Sequence, residues 1–78
     1  MQTFGIGQAV KSMQDGDEVT RLGWNGPNQY LKLQVPDANS KMTLSYIYIT
    51  TVQGDLVPWL ASQTDILATD WCVVGPTT

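Results

Sequence analysis

The sequence predicts an α+β domain: a small antiparallel β-sheet with an N-terminal amphipathic helix and a second short helix packed against it. Three observations carry that prediction. One apolar stripe at helical spacing opens the chain, alternating strand-like runs joined by short loops fill the middle, and a brief capped segment precedes a last apolar run.

Ile6, Ala9, Val10 and Met13 fall at i, i+3, i+4 and i+7, the stripe of a helix lying on a core, while Gln8, Lys11, Ser12 and Gln14 face away. Thr3 and Gly5 are both candidates to start it, and Gly16 is placed to end it. Glu18 to Leu22 reads as a strand with mixed faces. Gly23 to Asn28 ("GWNGPN") is dense in turn formers and reads as a loop. Tyr30 to Val35 alternates, with Leu31, Leu33 and Val35 on one face and Tyr30, Lys32 and Gln34 on the other. Pro36 to Lys41 is a polar loop. Ser45 to Val52 is rich in β-branched and aromatic residues and reads as a strand. Gln53-Gly54 predicts a tight hairpin into Leu56-Val57, which Pro58 ends because it cannot donate to a ladder. Ser62 has the position of an N-cap, with Asp65 as the acidic half of a capping box. The helix that follows, Gln63 to Ala68, is under two turns and forms only if packed. Trp71 to Val74 is a final strand, and "GPTT" a tail.

Seventy-eight residues imply one domain spanning the chain, small enough to be marginal alone. One cysteine, Cys72, allows no internal disulfide, and with no histidine a thiolate or imidazole zinc site has no ligands. Self-association is the expected source of extra support. A net charge of −3, with Lys11, Arg21, Lys32 and Lys41 the only basic residues, is the wrong balance for gripping a DNA or RNA backbone. A small anionic ligand needs only one arginine and a few donors. No apolar run approaches the roughly 20 residues of a membrane span. The N-terminus lacks the pattern of a secretory signal, and a free cysteine fits a reducing, cytoplasmic location.

Each candidate site residue has a structural reading beside a functional one. Trp24, in a glycine-flanked loop, is either a lid on the core or a stacking platform for a planar ligand such as a nucleobase. Asn25 either shapes that turn or meets a base edge or ribose hydroxyl. Trp71, in register with Val73, is the choice for the core, and Trp59 for an edge or a subunit seam. Arg21 is either a phosphate contact or a strand charge paired with Glu18 or Asp17. Ser62 and Asp65 satisfy each other as a cap, or else the helix start they frame meets a phosphate, with Thr64 alongside. Catalysis has little support: there is no histidine, and Cys72 has no evident base. Asp65 and Asp70 could share a magnesium ion, which would make a metal-dependent phosphodiesterase the enzymatic alternative. A structural or regulatory module using its tryptophans for protein contacts is the third.

Two stretches, "VTRLGWNG" (19–26) and "VPWLASQTDILATDW" (57–71), in this order in so short a chain, resemble the second type of Thoeris anti-defence protein of phages. The similarity takes in the first helix as well and omits the middle loop and the tail. It implies a sponge that binds a cyclic ADP-ribose-type immune signal without cleaving it, needs no cofactor, and assembles as a homotetramer with ligand in pockets between subunits. Some members of that family also hold cyclic dinucleotides. The matching positions are Arg21, Trp24 and Asn25 in the first stretch and Pro58, Trp59, Ser62, Thr64, Asp65, Asp70 and Trp71 in the second. Stacking is expected of Trp24, with Trp59 or Tyr30 as alternates. Phosphate contacts fall to Arg21, Ser62 and Thr64, and ribose or base-edge contacts to Asn25 and Asp65. The chain departs from the family at Leu22, where a lysine is frequent, and at Pro27 and Asn28, where a basic residue and a glycine are common. Both departures remove positive charge near the expected pocket.

Overall fold

The computed structural model describes residues 2–24 and 28–74. The elements run in the order α1 (Ile6–Gln14), β1 (Val19–Arg21), β2 (Tyr30–Gln34), β3 (Tyr46–Thr50), β4 (Leu56–Pro58), α2 (Gln63–Ile66) and β5 (Trp71–Val73). The five strands form one antiparallel sheet in the order β4-β3-β2-β1-β5, so the first and last strands in sequence lie side by side. The α+β arrangement is the one expected.

The helix stripe explains α1. Ala9 and Met13 are buried, and Ile6 and Val10 pack against the same cluster. Gly5 is the N-cap, without a side-chain cap bond, and the N–H of Ala9 donates to its carbonyl. Gly16 has φ of +95°, the left-handed conformation that lets the chain leave the helix.

Cross-strand register sorts the sheet residues by face. Val19 pairs with Leu31 and Val73, Leu31 with Ile49, Leu33 with Ile47, and Arg21 with Trp71. These side chains share the face on which α1 lies against β1, β2 and β5. The buried cluster of Ala9, Met13, Val19, Leu31 and Trp71 is the meeting of that face with the helix. Tyr30, Lys32, Gln34, Tyr46, Tyr48 and Thr50 alternate to the opposite face, which no helix covers. Cys72 is buried, and burial, then the nearby Asp70 charge, push its thiol pKa up, away from nucleophilic character.

The elements differ from expectation at their ends. The hairpin expected after β3 is present, its loop closed between Thr51 and Asp55: Thr51 N–H donates to the Asp55 carbonyl, Gly54 N–H to the Thr51 carbonyl, and Asp55 N–H to the Thr51 hydroxyl. Gly54 there has φ of +90°. Helix α2 stops at Ile66 rather than Ala68: the Ala68 N–H tightens onto the Asp65 carbonyl, and by Asp70 the backbone carbonyl already accepts the Leu22 N–H. Phe4 pairs with Trp71 outside β5 by two backbone hydrogen bonds and so covers part of that edge. Asn25 and the "GPTT" tail lie outside the described residues.

A tryptophan cleft held by one arginine

Three tryptophans converge on the helix-bearing side of the sheet. Trp71 projects inward from β5 and is 0 % exposed, as expected of a core residue. Its indole N–H donates to the Asp65 carbonyl at 3.0 Å, which satisfies a polar atom that would otherwise be buried alone. Trp24, from the β1–β2 loop, meets it edge-on, with ring centroids 5.4 Å apart and planes at 77°. Trp59, just after β4, meets it likewise at 5.9 Å and 86°. Both geometries suit the aromatic quadrupole.

Between these outer indoles lies a cleft of about 260 Å³ lined by Trp24, Gln29, Ile49, Trp59 and Asp65. Trp24 and Trp59 are half-buried, each with part of its ring packed on the core. The readings of Trp24 as core lid and as exposed platform are thus combined in one side chain.

Charge is concentrated below the cleft. Arg21 projects from β1 on the Trp71 side of the sheet. Its Nε donates to Asp70 Oδ1 and its Nη1 to Asp65 Oδ1, each at 2.8 Å. The arginine side chain is 15 % exposed, so these are partly desolvated ion pairs. Asp65 Oδ1 also accepts the Trp24 indole N–H at 3.1 Å, and its Oδ2 accepts the Ser62 hydroxyl at 2.9 Å. Ser62 in turn accepts the Asp65 N–H, closing the expected capping box. Asp70 Oδ2 accepts the Gly23 N–H at 2.7 Å. A Cβ on Gly23 would stand 2.9 Å from that oxygen, so the approach needs glycine.

The pKa directions follow from these contacts. The hydrogen bonds that Arg21 donates to Asp70 and Asp65 raise its pKa and keep it cationic. Burial tends to raise Asp65, but the bonds from Arg21, Trp24 and Ser62 outweigh it and leave the carboxyl below its ordinary value. Asp70 is lowered chiefly by its bond to Arg21.

The structure thus brings together Arg21, Trp24, Trp59, Ser62 and Asp65. Thr64 lies exposed on α2 beside them. Tyr30 is not with them: alternation along β2 places it on the opposite sheet face from Leu31. Arg21 pairs with Asp65 and Asp70 rather than with Glu18 or Asp17. Asp65 and Asp70 are brought to the same guanidinium, Asp70 at Nε and Asp65 at Nη1, so the cation they share is Arg21. Among the described residues no group of three or more acidic or cysteine side chains is placed to hold a metal ion. Sequence reasoning missed Gln29 and Ile49 as lining residues. Ile49 was legible as a core-facing strand position, whereas nothing in its local pattern marks Gln29.

Fold and site define a class: a small α+β sheet domain with an aromatic, partly acidic cleft on its helix-bearing side. Residues 4–74 match the Thoeris anti-defense 2-like domain. The chain is also similar to the Thoeris anti-defense 2 protein of Bacillus phage SP01, with 35 % identity over 85 aligned positions that take in 92 % of this chain and 96 % of that one. It therefore belongs to the Thoeris anti-defense 2-like family, a family of phage anti-defence proteins.

Proposed function

We propose that this protein is a nucleotide sponge that captures a cyclic ADP-ribose-type immune signal without cleaving it and so withholds it from its effector. The observation that carries the reading is the cleft between Trp24 and Trp59, two half-exposed indoles braced on a buried third. A gap walled by aromatic faces suits a nucleobase. Family membership supports the anti-defence role. The binding-without-turnover part draws on the resemblance above and on a raised thiol pKa at Cys72.

In this reading Trp24 and Trp59 flank the base, and Asp65 and Asn25 meet ribose hydroxyls or a base edge. An ionised Asp65 repels phosphate and already accepts the hydrogen bond of the Ser62 hydroxyl, so a phosphate engages Ser62 only by displacing that bond, and the exposed Thr64 hydroxyl is the open donor of the two. Tyr30, on the far face, contributes only if a neighbouring subunit presents it. We further propose a homotetramer with the ligand enclosed between subunits, located in the host cytoplasm. Cyclic dinucleotides are the related ligands to test beside it.

The test is capture and release. The protein is incubated with cyclic ADP-ribose or its glycosidic isomers, separated from free ligand, and heat-denatured. Intact nucleotide in the supernatant is the expected result. Degraded nucleotide would make the protein a phosphodiesterase, and failure to capture any of these nucleotides would leave the tryptophans to protein contacts.

A further inference from the structure

We infer that Arg21 is a positioning residue for the tryptophan cleft: by bridging Asp65 and Asp70 it sets the plane of Trp24, and with it the gap facing Trp59. The identity of the ligand rests on the function proposed above; the mechanism rests on geometry.

Each carboxylate that Arg21 grips holds one point of the short segment that carries Trp24. Asp70 holds the Gly23 backbone N–H through Oδ2. Asp65 holds the Trp24 indole N–H through Oδ1, the same oxygen that Arg21 engages. Trp24 N–H also donates to the Arg21 carbonyl at 3.3 Å, closing a turn over the arginine's own backbone. Trp24 is thus fixed at its backbone, at its indole nitrogen and along its edge on Trp71. Two of these restraints depend on carboxylates that would repel each other without the guanidinium between them. The planar fork of arginine engages both at once, whereas lysine presents a single ammonium. Through Nε and Nη1 the guanidinium is committed to the two carboxylates, and the residues that line the cleft include Asp65 but not Arg21 itself.

The test uses the intact chain and Arg21→Lys, with Trp24→Phe as a reference for the Trp24 share of the near-ultraviolet circular dichroism. Far-ultraviolet spectra report whether the fold is kept. Arg21→Lys is expected to keep the fold, to lose the Trp24 share of the near-ultraviolet signal, and to weaken adenosine and cyclic ADP-ribose alike by about tenfold or more, the loss of one stacked base. An unchanged near-ultraviolet signal in the folded variant overturns the proposal. So does a tenfold loss confined to cyclic ADP-ribose, which would make Arg21 a direct phosphate contact. If Arg21→Lys does not fold, Asp70→Asn leaves the guanidinium in place, breaks one arm of the bridge and is judged by the same signal. A native chain that binds neither probe overturns the proposed function, while the near-ultraviolet comparison still decides the positioning role.

Discussion

Trp24 and Trp71 touch each other, yet their removal should have different consequences. Truncating Trp71 empties the centre of the core and removes the indole N–H that ties it to the Asp65 carbonyl. Trp71→Ala should cost about 3–5 kcal/mol, a large part of the whole stability of a domain this size, and a thermal melt should show no cooperative transition or a much lower one. Trp24→Ala removes a half-exposed ring, so it should stay folded and lose about tenfold to a hundredfold in nucleotide affinity. Calorimetry showing unchanged affinity in the folded variant would assign Trp24 to packing alone. The carboxylates give a third expectation. Asp65 and Asp70 both titrate below the ordinary carboxyl value of 3.8. The unfolded chain therefore takes up protons first, and stability present above that pH is lost as pH falls through the folded values. Acid melts of Asp70→Asn should show a shallower loss than the native chain; parallel curves would deny Asp70 that part. The role of Trp71 was readable from its alternation with Val73. The partners of Arg21 were not, because they lie 49 and 44 residues away, and local spacing carries no information about such pairs.

Helix α2 shows how little an isolated segment determines. Four helical residues cannot hold themselves. The capping box fixes its start, and the Arg21 and Trp71 contacts to Asp65 fix its place. Ser62→Ala should cost about 0.5–2 kcal/mol and lower the melting temperature by several degrees, with Ser62→Thr largely restoring it. A melting temperature unmoved by Ser62→Ala would mean that the ion pairs alone seat the helix. The cap was legible because its logic is local. The hairpin after β3 was legible on the same ground, because Gln53-Gly54 lies inside its loop and Gly54 takes the left-handed φ of +90°. Its span was not, since the bonds between Thr51 and Asp55 and the pairing of Thr50 with Leu56 depend on both strands together. The alternation of β2 was read correctly, and β3 was found from its β-branched and aromatic content, because both signals are local.

At the scale of the whole molecule, the described residues leave apolar side chains uncovered. Leu60 and Leu67 are 92 % and 77 % exposed. A groove of about 400 Å³ lined by Met42, Thr43, Leu44, Ser45, Tyr46 and Pro58 lies beside the open edge strand β4. These features support the proposed homo-oligomer. Light scattering should give a multiple of the chain mass, and the melting temperature should rise with protein concentration. A monomer at micromolar concentration with a concentration-independent melt would refute it. The fold class was legible from periodicity, but the exposure of Leu60 and Leu67 was not, since exposure of a leucine is decided only when the sheet is assembled.

The neighbouring placement of β1 and β5 has a consequence in time. Val19 pairs with Val73, and Arg21 with Trp71, so the interior of the sheet stays incomplete until the last strand arrives. During synthesis β2, β3 and β4 can pair as a meander while Val19 still lacks one of its two neighbours. The arginine bridge and the tryptophan cleft wait for the same event, because Asp70 and Trp71 stand at the threshold of β5. Closing so long a loop is the slow step expected of a topology rich in distant pairings. The tryptophan cleft therefore forms late and in one step, once Trp71 has joined the sheet, and on the proposed function a chain halted before Trp71 is expected to capture no nucleotide.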